Sequence, residues 1–423
     1  MSASLDKAGR PIVVVTGLGV VTSLGAGKSD NWAKLTTGQS GIRNITRFAT
    51  EGLKTRIAGT VDYVPPQSSS AALTEYLADL AVDEAVSESA LGAKGDFPGP
   101  LFLAVPPVEM EWPQRFEVSA ETGSNGPITY KDLLRVSEKF PSYHQRFLLG
   151  SVADALADKF GTKGAPISLS TACASGATAI QLGVEAIRRG ETDAALCVGA
   201  DGSINPEAMI RFSLLSALST SNEVPEKAAK PFSKNRDGFV MAEGAGAVVL
   251  ESLASAKARG AKILGVLEGA GEMADSFHRT RSSPDGKPIV GCINNALRDA
   301  GITAEDVDYI NAHGTSTPEN DKMEYTGCAA VFGERMKQLP ISSNKSMIGH
   351  TLSAAGAVEA VFTLMTLQNQ KLLPTINYDV PDPAIPLDVV PNKARDAKVR
   401  HAISNSFGFG GQNVSLVMGL EPV

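Results

Sequence analysis

The sequence predicts an α/β protein built of stacked sheets and helices, and two observations predict it. Short β-branched runs alternate along the chain with apolar patterns of helical period. In addition, "APISLSTACASGATAIQLGVEAI" in the first half is echoed by "LPISSNKSMIGHTLSAAGAVEAV" in the second. Both run from Pro-Ile-Ser through a polar turn into a helix rich in small residues. That suggests two related halves, residues 1–260 and 261–423.

The elements follow in order. Residues 12–16, 101–105, 167–170, 194–198 and 245–250 read as strands, and 307–310 as a strand of the second half. Helical patterns cover 74–87, 176–189, 289–299 and 354–369. In the helix at 176–189, Ala177, Ile180, Val184 and Ile187 form one stripe, Gln181, Glu185 and Arg188 are expected to face away, and Gly190 ends it. Pro and Gly mark loops at 64–66, 97–100, 283–286 and 379–386. The opening "TGLGVVTSLG" looks like a dinucleotide loop, but GxGxxG is not met and no acidic residue ends a second strand.

Composition narrows the classes. The 423 residues are 43% apolar and 20% charged, which suits a soluble protein with one large or two similar cores. Cys173, Cys197, Cys292 and Cys328 are far apart, so disulfides and zinc are not expected, and a reducing cytoplasm is. The first ten residues, MSASLDKAGR, carry no apolar signal stretch. The apolar run 354–367 is short and interrupted by Glu359, so it reads as a buried helix rather than a membrane span. A net charge of -7 argues against nucleic acid as a partner.

Four stretches carry chemistry. "STACASG" places Cys173 between a strand and a helix N-terminus, where the dipole is expected to lower the thiol pKa, small neighbours let a carbonyl approach, and free N–H groups can hold an oxyanion. "NAHGTST" presents His313 beside Thr315 and Thr317, and "SNKSMIGH" brings Lys345 and His350 ahead of an apolar helix, where the imidazole is biased toward its neutral form. "SNSFGFGG" sets Phe407, Gly408 and Phe409 in a turn of movable backbone. Cys197, Cys292 and Cys328 read as core, and His144 and His401 carry no motif.

Together these stretches resemble the β-ketoacyl-acyl-carrier-protein synthases of the thiolase superfamily, in the elongating form with two histidines. "KPFSKNRDGFV" at 230–240 adds family-like text. The resemblance implies a thiolase-like fold of two duplicated halves in a five-layered αβαβα stack, as a homodimer. It implies that Cys173 takes an acyl group from the phosphopantetheine of an acyl carrier protein, with the N–H groups of Cys173 and Phe409 as oxyanion hole. His313 and His350 would assist decarboxylation of malonyl thioester, Lys345 would hold them by pairing with Glu359 or Glu324, and the product would be a 3-oxoacyl carrier. Thr315 and Thr317 would bind the pantetheine arm, Phe407, Gly408 and Phe409 would line and gate the acyl channel, and His278 would stand behind the site. No cofactor is required. A structural sodium or potassium ion near Asn311, Glu359, Ser404 and Asn405 is implied as well.

Two stretches depart from the family. Where relatives carry a glycine-rich turn lining the acyl pocket at the dimer interface, this chain has Pro106-Pro107-Val108-Glu109-Met110-Glu111-Trp112. Ahead of the helix near Thr74, where relatives carry carrier-docking lysines and arginines, it has Gln67-Ser68-Ser69-Ser70-Ala71-Ala72. A docking arginine of relatives falls near Ser216, with Arg211 close, and Arg43, Arg47, Lys54 and Arg56 are expected to contribute instead. A specialised carrier or an unusual acyl group, such as a very long chain, follows as the expectation. A polyketide-type ketosynthase is the alternative, and so is a non-catalytic chain-length partner, against which the presence of Cys173 speaks. A thiolase would need a second cysteine where the chain offers His350 or Phe409.

Overall fold

The computed structural model describes residues 4–124 and 126–422. Its spine is a mixed sheet of two five-strand sets. The first comprises β1 (Val13–Thr22), β2 (Leu101–Ala104), β3 (Ile167–Leu169), β4 (Ala194–Asp201) and β5 (Gly244–Ser252). The second comprises β6 (Gly265–Ala274), β7 (Tyr309–Asn311), β8 (Ile341–Ser342), β9 (His401–Phe407) and β10 (Gln412–Gly419). The order across is β8-β7-β9-β10-β6-β1-β5-β4-β2-β3. From edge to centre, each set therefore runs third, second, fourth, fifth, first. The senses repeat too: the second strand of each set is parallel to the third and fourth, and the remaining pairs are antiparallel. The sets meet where β1 pairs with β6, Val14 opposite Val266.

Helices complete five layers. α1 (Ser70–Ser89) covers the outer face of the first set, and two further helices cover the second. Between the sets lie α2 (Ser175–Arg188) and α3 (Ala355–Asn369), each in contact with strands of both. Burial on all sides explains why α3 is apolar all round, with every residue from Ala355 to Leu367 buried. It also corrects the expected outward face of α2. Arg188, its side chain 8% exposed, is paired with Asp299 at 2.5 Å while donating to the Glu268 carbonyl, and Gln181 is buried.

Glycine sets two of the close approaches. A Cβ on Gly17 or Gly19 of β1 would lie 2.0 Å from the Ala85 carbonyl or 1.9 Å from that of Ala81, so α1 can lie flat on the strand. "TGLGVVTSLG" is thus the first central strand and its turn, in line with the rejection of a nucleotide loop. At the centre, a Cβ on Gly176 would come within 2.5 Å of the Ala357 nitrogen, and one on Gly356 within 2.4 Å of the Ala177 nitrogen. The two echoed segments therefore cross each other at their small residues.

The helix expected at 74–87 begins earlier, because Ser69 caps it by accepting the Ala72 N–H. Four helices, Trp112–Glu121, Tyr130–Ser137, Pro141–Arg146 and Ser151–Phe160, occupy the stretch between β2 and β3. Phe116, Tyr130, Leu134 and Leu149 are exposed there. Among the described residues, no helix is long and apolar enough to cross a membrane.

Candidate active site

Cys173 sits in a single 3-10 turn between β3 and α2. Ser175 pins the turn, its hydroxyl accepting the Thr171 N–H at 2.7 Å and donating to the Ala172 carbonyl at 2.6 Å. Ala172 takes a left-handed φ of 50°, which its small side chain tolerates, so the next residue is thrown forward. Sγ of Cys173 and one ring nitrogen each of His313 and His350 lie within 4.8 Å of one another. Three motifs scattered over the sequence thus meet at one point.

Each imidazole has a defined orientation. His350 Nδ1 accepts the Leu352 N–H at 3.2 Å, so its neutral ring carries the proton on Nε2. His313 Nδ1 lies 3.4 Å from the Lys345 ammonium, which assigns it the same tautomer. The rings meet edge to face, centroids 5.3 Å apart at 84°, with Phe239 packed on His350 and Phe407 on His313. Both are 2% exposed. Burial, and after it the Lys345 charge, holds both pKa values well below 6.5, so both rings are neutral and offer N–H donors.

The supporting carboxylates divide their work. Lys345 pairs with Glu359, not Glu324, and burial lifts Glu359 to about 7 against the pull of that ammonium. Glu324 accepts the backbone N–H groups of His313 at 2.9 Å and Gly314 at 2.7 Å, fixing the loop that carries the imidazole. Burial raises it to about 7 as well.

The thiol departs from expectation. The dipole was expected to lower its pKa, yet burial pushes it up to about 11, opposed by the Phe409 N–H and Lys345, reinforced by Asp201, and opposed by its own N–H. Desolvation outweighs one helix end here. The Phe409 and Cys173 N–H dipoles thus both favour negative charge at the sulfur, as donors of an oxyanion hole would. Gly408 permits this, since a Cβ there would crowd the Thr171 carbonyl at 3.1 Å and the Cys173 nitrogen at 3.3 Å.

Two cavities open on Cys173. The first, about 500 Å³, carries His313, His350, Thr315, Thr317 and Phe407. His278 lies on its wall rather than behind the site, its Nδ1 facing the Thr280 N–H at 3.2 Å. The second, about 650 Å³, is lined by Leu352, Ala208, Pro106, Glu109 and Arg211 among others. Phe409, Phe212 and Leu215 border both, which suits Phe409 to a gate. Phe239, Phe212, Leu352 and Asp201 were not foreseen, and only Phe239 lies in a stretch with a sequence signal.

Two expectations change. Arg43 and Arg47 are held by Asp62, and Arg47 also by Glu243, while Arg211 pairs with Glu109, so none of the three is a free docking cation. For the cation site, Asn311 Oδ1, Glu359 Oε2 and Ser404 Oγ are buried and without partners among the described residues. Asn311 and Ser404 are paired across β7 and β9, and Asn311 also reaches the Glu359 carbonyl at 3.3 Å. A carboxylate with neutral oxygens fits a monovalent ion. The Asn405 side chain does not belong to that set, because it bonds Glu324 at 3.2 Å and Ser415 at 2.8 Å.

Residues 10–71 and 130–256 match the β-ketoacyl synthase N-terminal domain, and 264–379 the C-terminal domain. The chain belongs to the β-ketoacyl synthase family. It is therefore a condensing enzyme of the acyltransferase kind. It is 39% identical over 412 residues to 3-oxoacyl-[acyl-carrier-protein] synthase 2 of Coxiella burnetii, covering 96% of this chain and 98% of that one. To the synthase of the same name in Staphylococcus aureus it is 37% identical, covering 96% and 97%. Among solved structures, it superposes at TM-score 0.87 and 33% identity on the ketosynthase of a type II polyketide synthase in complex with its acyl-carrier protein, over 97% of this chain and all of that one. A β-ketoacyl synthase from Burkholderia phymatum gives 0.85 at 32%, with the same coverage.

Proposed function

We propose that this β-ketoacyl synthase condenses an acyl group carried on Cys173 with a malonyl thioester, releasing CO2 and a 3-oxoacyl thioester of an acyl carrier protein. The observation that carries this is the meeting of Cys173, His313 and His350 within 4.8 Å between two cavities. The acyl carbon bonds to Sγ, the oxyanion rests on the Cys173 and Phe409 N–H groups, and the thiol proton leaves with the departing pantetheine thiol. Neither imidazole is its acceptor, because each presents a bound proton to the pocket. In the second step the malonyl carboxylate departs as CO2, and its electron pair moves onto the thioester oxygen, held by the two Nε2–H donors. The enolate carbon attacks the acyl carbonyl, the C–S bond to Cys173 breaks, and the thiolate regains a proton. Asn311, Glu359 and Ser404 would hold a sodium or potassium ion, which would serve a structural role by giving their unpartnered oxygens a ligand.

The first cavity takes the prosthetic arm along Thr315 and Thr317, and the second takes the acyl chain. The carrier docks at the rim of the first. Arg279, Arg281 and Lys322 line it, none with a carboxylate partner among the described residues, beside two exposed carboxylates, Asp237 and Glu319. Two copies associate along β3, a sheet edge whose Ile167 is exposed. Mass spectrometry after incubation with acyl carrier tests the core of the proposal. An acyl adduct on Cys173, absent in Cys173→Ala, is expected. A wild-type chain that takes no acyl group is a silent partner rather than an enzyme.

A further inference from the structure

The turn that departs from the family also shapes the second cavity. Pro106 and Pro107 stiffen the chain after β2 and deliver Glu109 to the wall, and the helix Pro206–Leu214 brings Arg211 to it. The two side chains pair with each other. Glu109 is also 3.2 Å from Arg115, which lies 3.9 Å from Glu207. Several other polar groups on this wall are committed, while Gln412 Oε1 is buried there without a partner among the described residues. Glu111 accepts the Ser70 N–H at 2.5 Å, and Asn205 caps its helix through the Ala208 N–H at 2.8 Å. Asp201 accepts the N–H groups of Ser203 at 3.0 Å and Ser353 at 3.1 Å. Glu109 and Arg211 stand apart from these as an exposed ion pair between two lining residues. The Glu109 and Arg211 side chains are 40% and 54% exposed, which sets the pair at the solvent-facing side of the cavity.

An exposed ion pair is weak and screened by salt, so it opens at little cost. An apolar chain that fits the cavity ends before meeting it. A longer one must push a methyl terminus between two charges that hold each other. We infer that Glu109 and Arg211 form a latch at the solvent-facing side of the acyl cavity, and that acyl chains longer than the cavity are accommodated only when it opens. Chain-length preference then depends on the pair as well as on cavity volume. This rests on the second cavity being the acyl site.

The test measures kcat/KM for a series of saturated acyl carriers from medium to very long chains, and takes the long-to-medium ratio. Arg211→Gln removes the latch but leaves Glu109 with Arg115, so the turn stays anchored. The ratio is expected to rise about twofold to fivefold. Arg211→Lys, which keeps the cation, should hold the ratio of the wild type. Added salt should raise the ratio in the wild type and leave it unmoved in Arg211→Gln. An unchanged ratio in Arg211→Gln, an equal gain in Arg211→Lys, or a salt response common to all three proteins overturns the latch. If no acyl chain of any length forms a Cys173 adduct, the assignment of the cavity fails before the latch is tested.

Discussion

Single hydrogen bonds divide the labour at the reacting centre. His350 and His313 both spend Nδ1 as acceptor, on the Leu352 N–H and the Lys345 ammonium, which leaves two Nε2–H donors and no basic nitrogen facing the sulfur. Acyl transfer and decarboxylation should therefore separate by mutation. His313→Ala and His350→Ala are each expected to keep Cys173 acylation while CO2 release from malonyl carrier falls on the order of a hundredfold to a thousandfold, as when one oxyanion donor is removed. Loss of acylation and decarboxylation in parallel would show an imidazole acting as base on the thiol. The pH profile follows from the same geometry. Both folded pKa values lie below 6.5, so the donor form persists as pH falls, and decarboxylation should stay level from mildly alkaline pH down through 6.5. An acid limb centred at or above 6.5 contradicts it. The thiol titrates the other way: with its pKa near 11, alkylation of the free enzyme by iodoacetamide should keep rising past pH 9, without a plateau near neutrality.

Between residue and whole, the crossing of α2 and α3 explains why "STACASG" is so small. The sequence suggested room for a thioester. Most of the missing bulk in fact admits the other central helix, Gly176 against Ala357 and Gly356 against Ala177. Backbone atoms 2.4 to 2.5 Å from a hypothetical Cβ cannot yield as a flexible side chain would. Gly176→Ala and Gly356→Ala should each destabilise by about 1–3 kcal/mol in urea unfolding. Because both press on one crossing, the double variant should lose less than the sum. Full additivity would mean that each helix adjusts independently. The elements themselves were legible where local pattern and environment agree, as in α3, whose apolar girth matches burial between two sheets. The outward face assigned to α2 was not, because the Arg188 pair with Asp299 exists only once the second set of strands closes over it. The same holds for Phe239. A backbone bridge between Met241 and His350, with the His350 N–H on the Val240 carbonyl at 2.7 Å, brings its ring to the imidazole, and no spacing in the chain announces that.

At the scale of the molecule, duplication places Cys173 at the N-terminus of one central helix and His350 just ahead of the other, so the crossing that packs the core also joins nucleophile to donor. Charge is distributed with a similar division. The chain carries a net charge of -7, and most of its arginines are matched to carboxylates, yet Arg279 and Arg281 stand at the mouth of the catalytic cavity without one among the described residues. A chain of net negative charge repels an acidic partner at long range, so a carrier of that charge would need a local patch of the opposite sign. The sequence pointed to Arg43, Arg47, Lys54 and Arg56, and ion pairs hold the first two. Removing Arg279 and Arg281 together should raise KM for malonyl carrier roughly threefold to tenfold and flatten its salt dependence. With malonyl N-acetylcysteamine, which has neither phosphate nor carrier, kcat and KM should stay put. With malonyl phosphopantetheine, a rise in KM assigns the arginines to the phosphate of the arm, and no rise assigns them to the carrier's own acidic surface. If the double variant handles malonyl carrier like the wild type at low salt, the rim is not where the carrier lands.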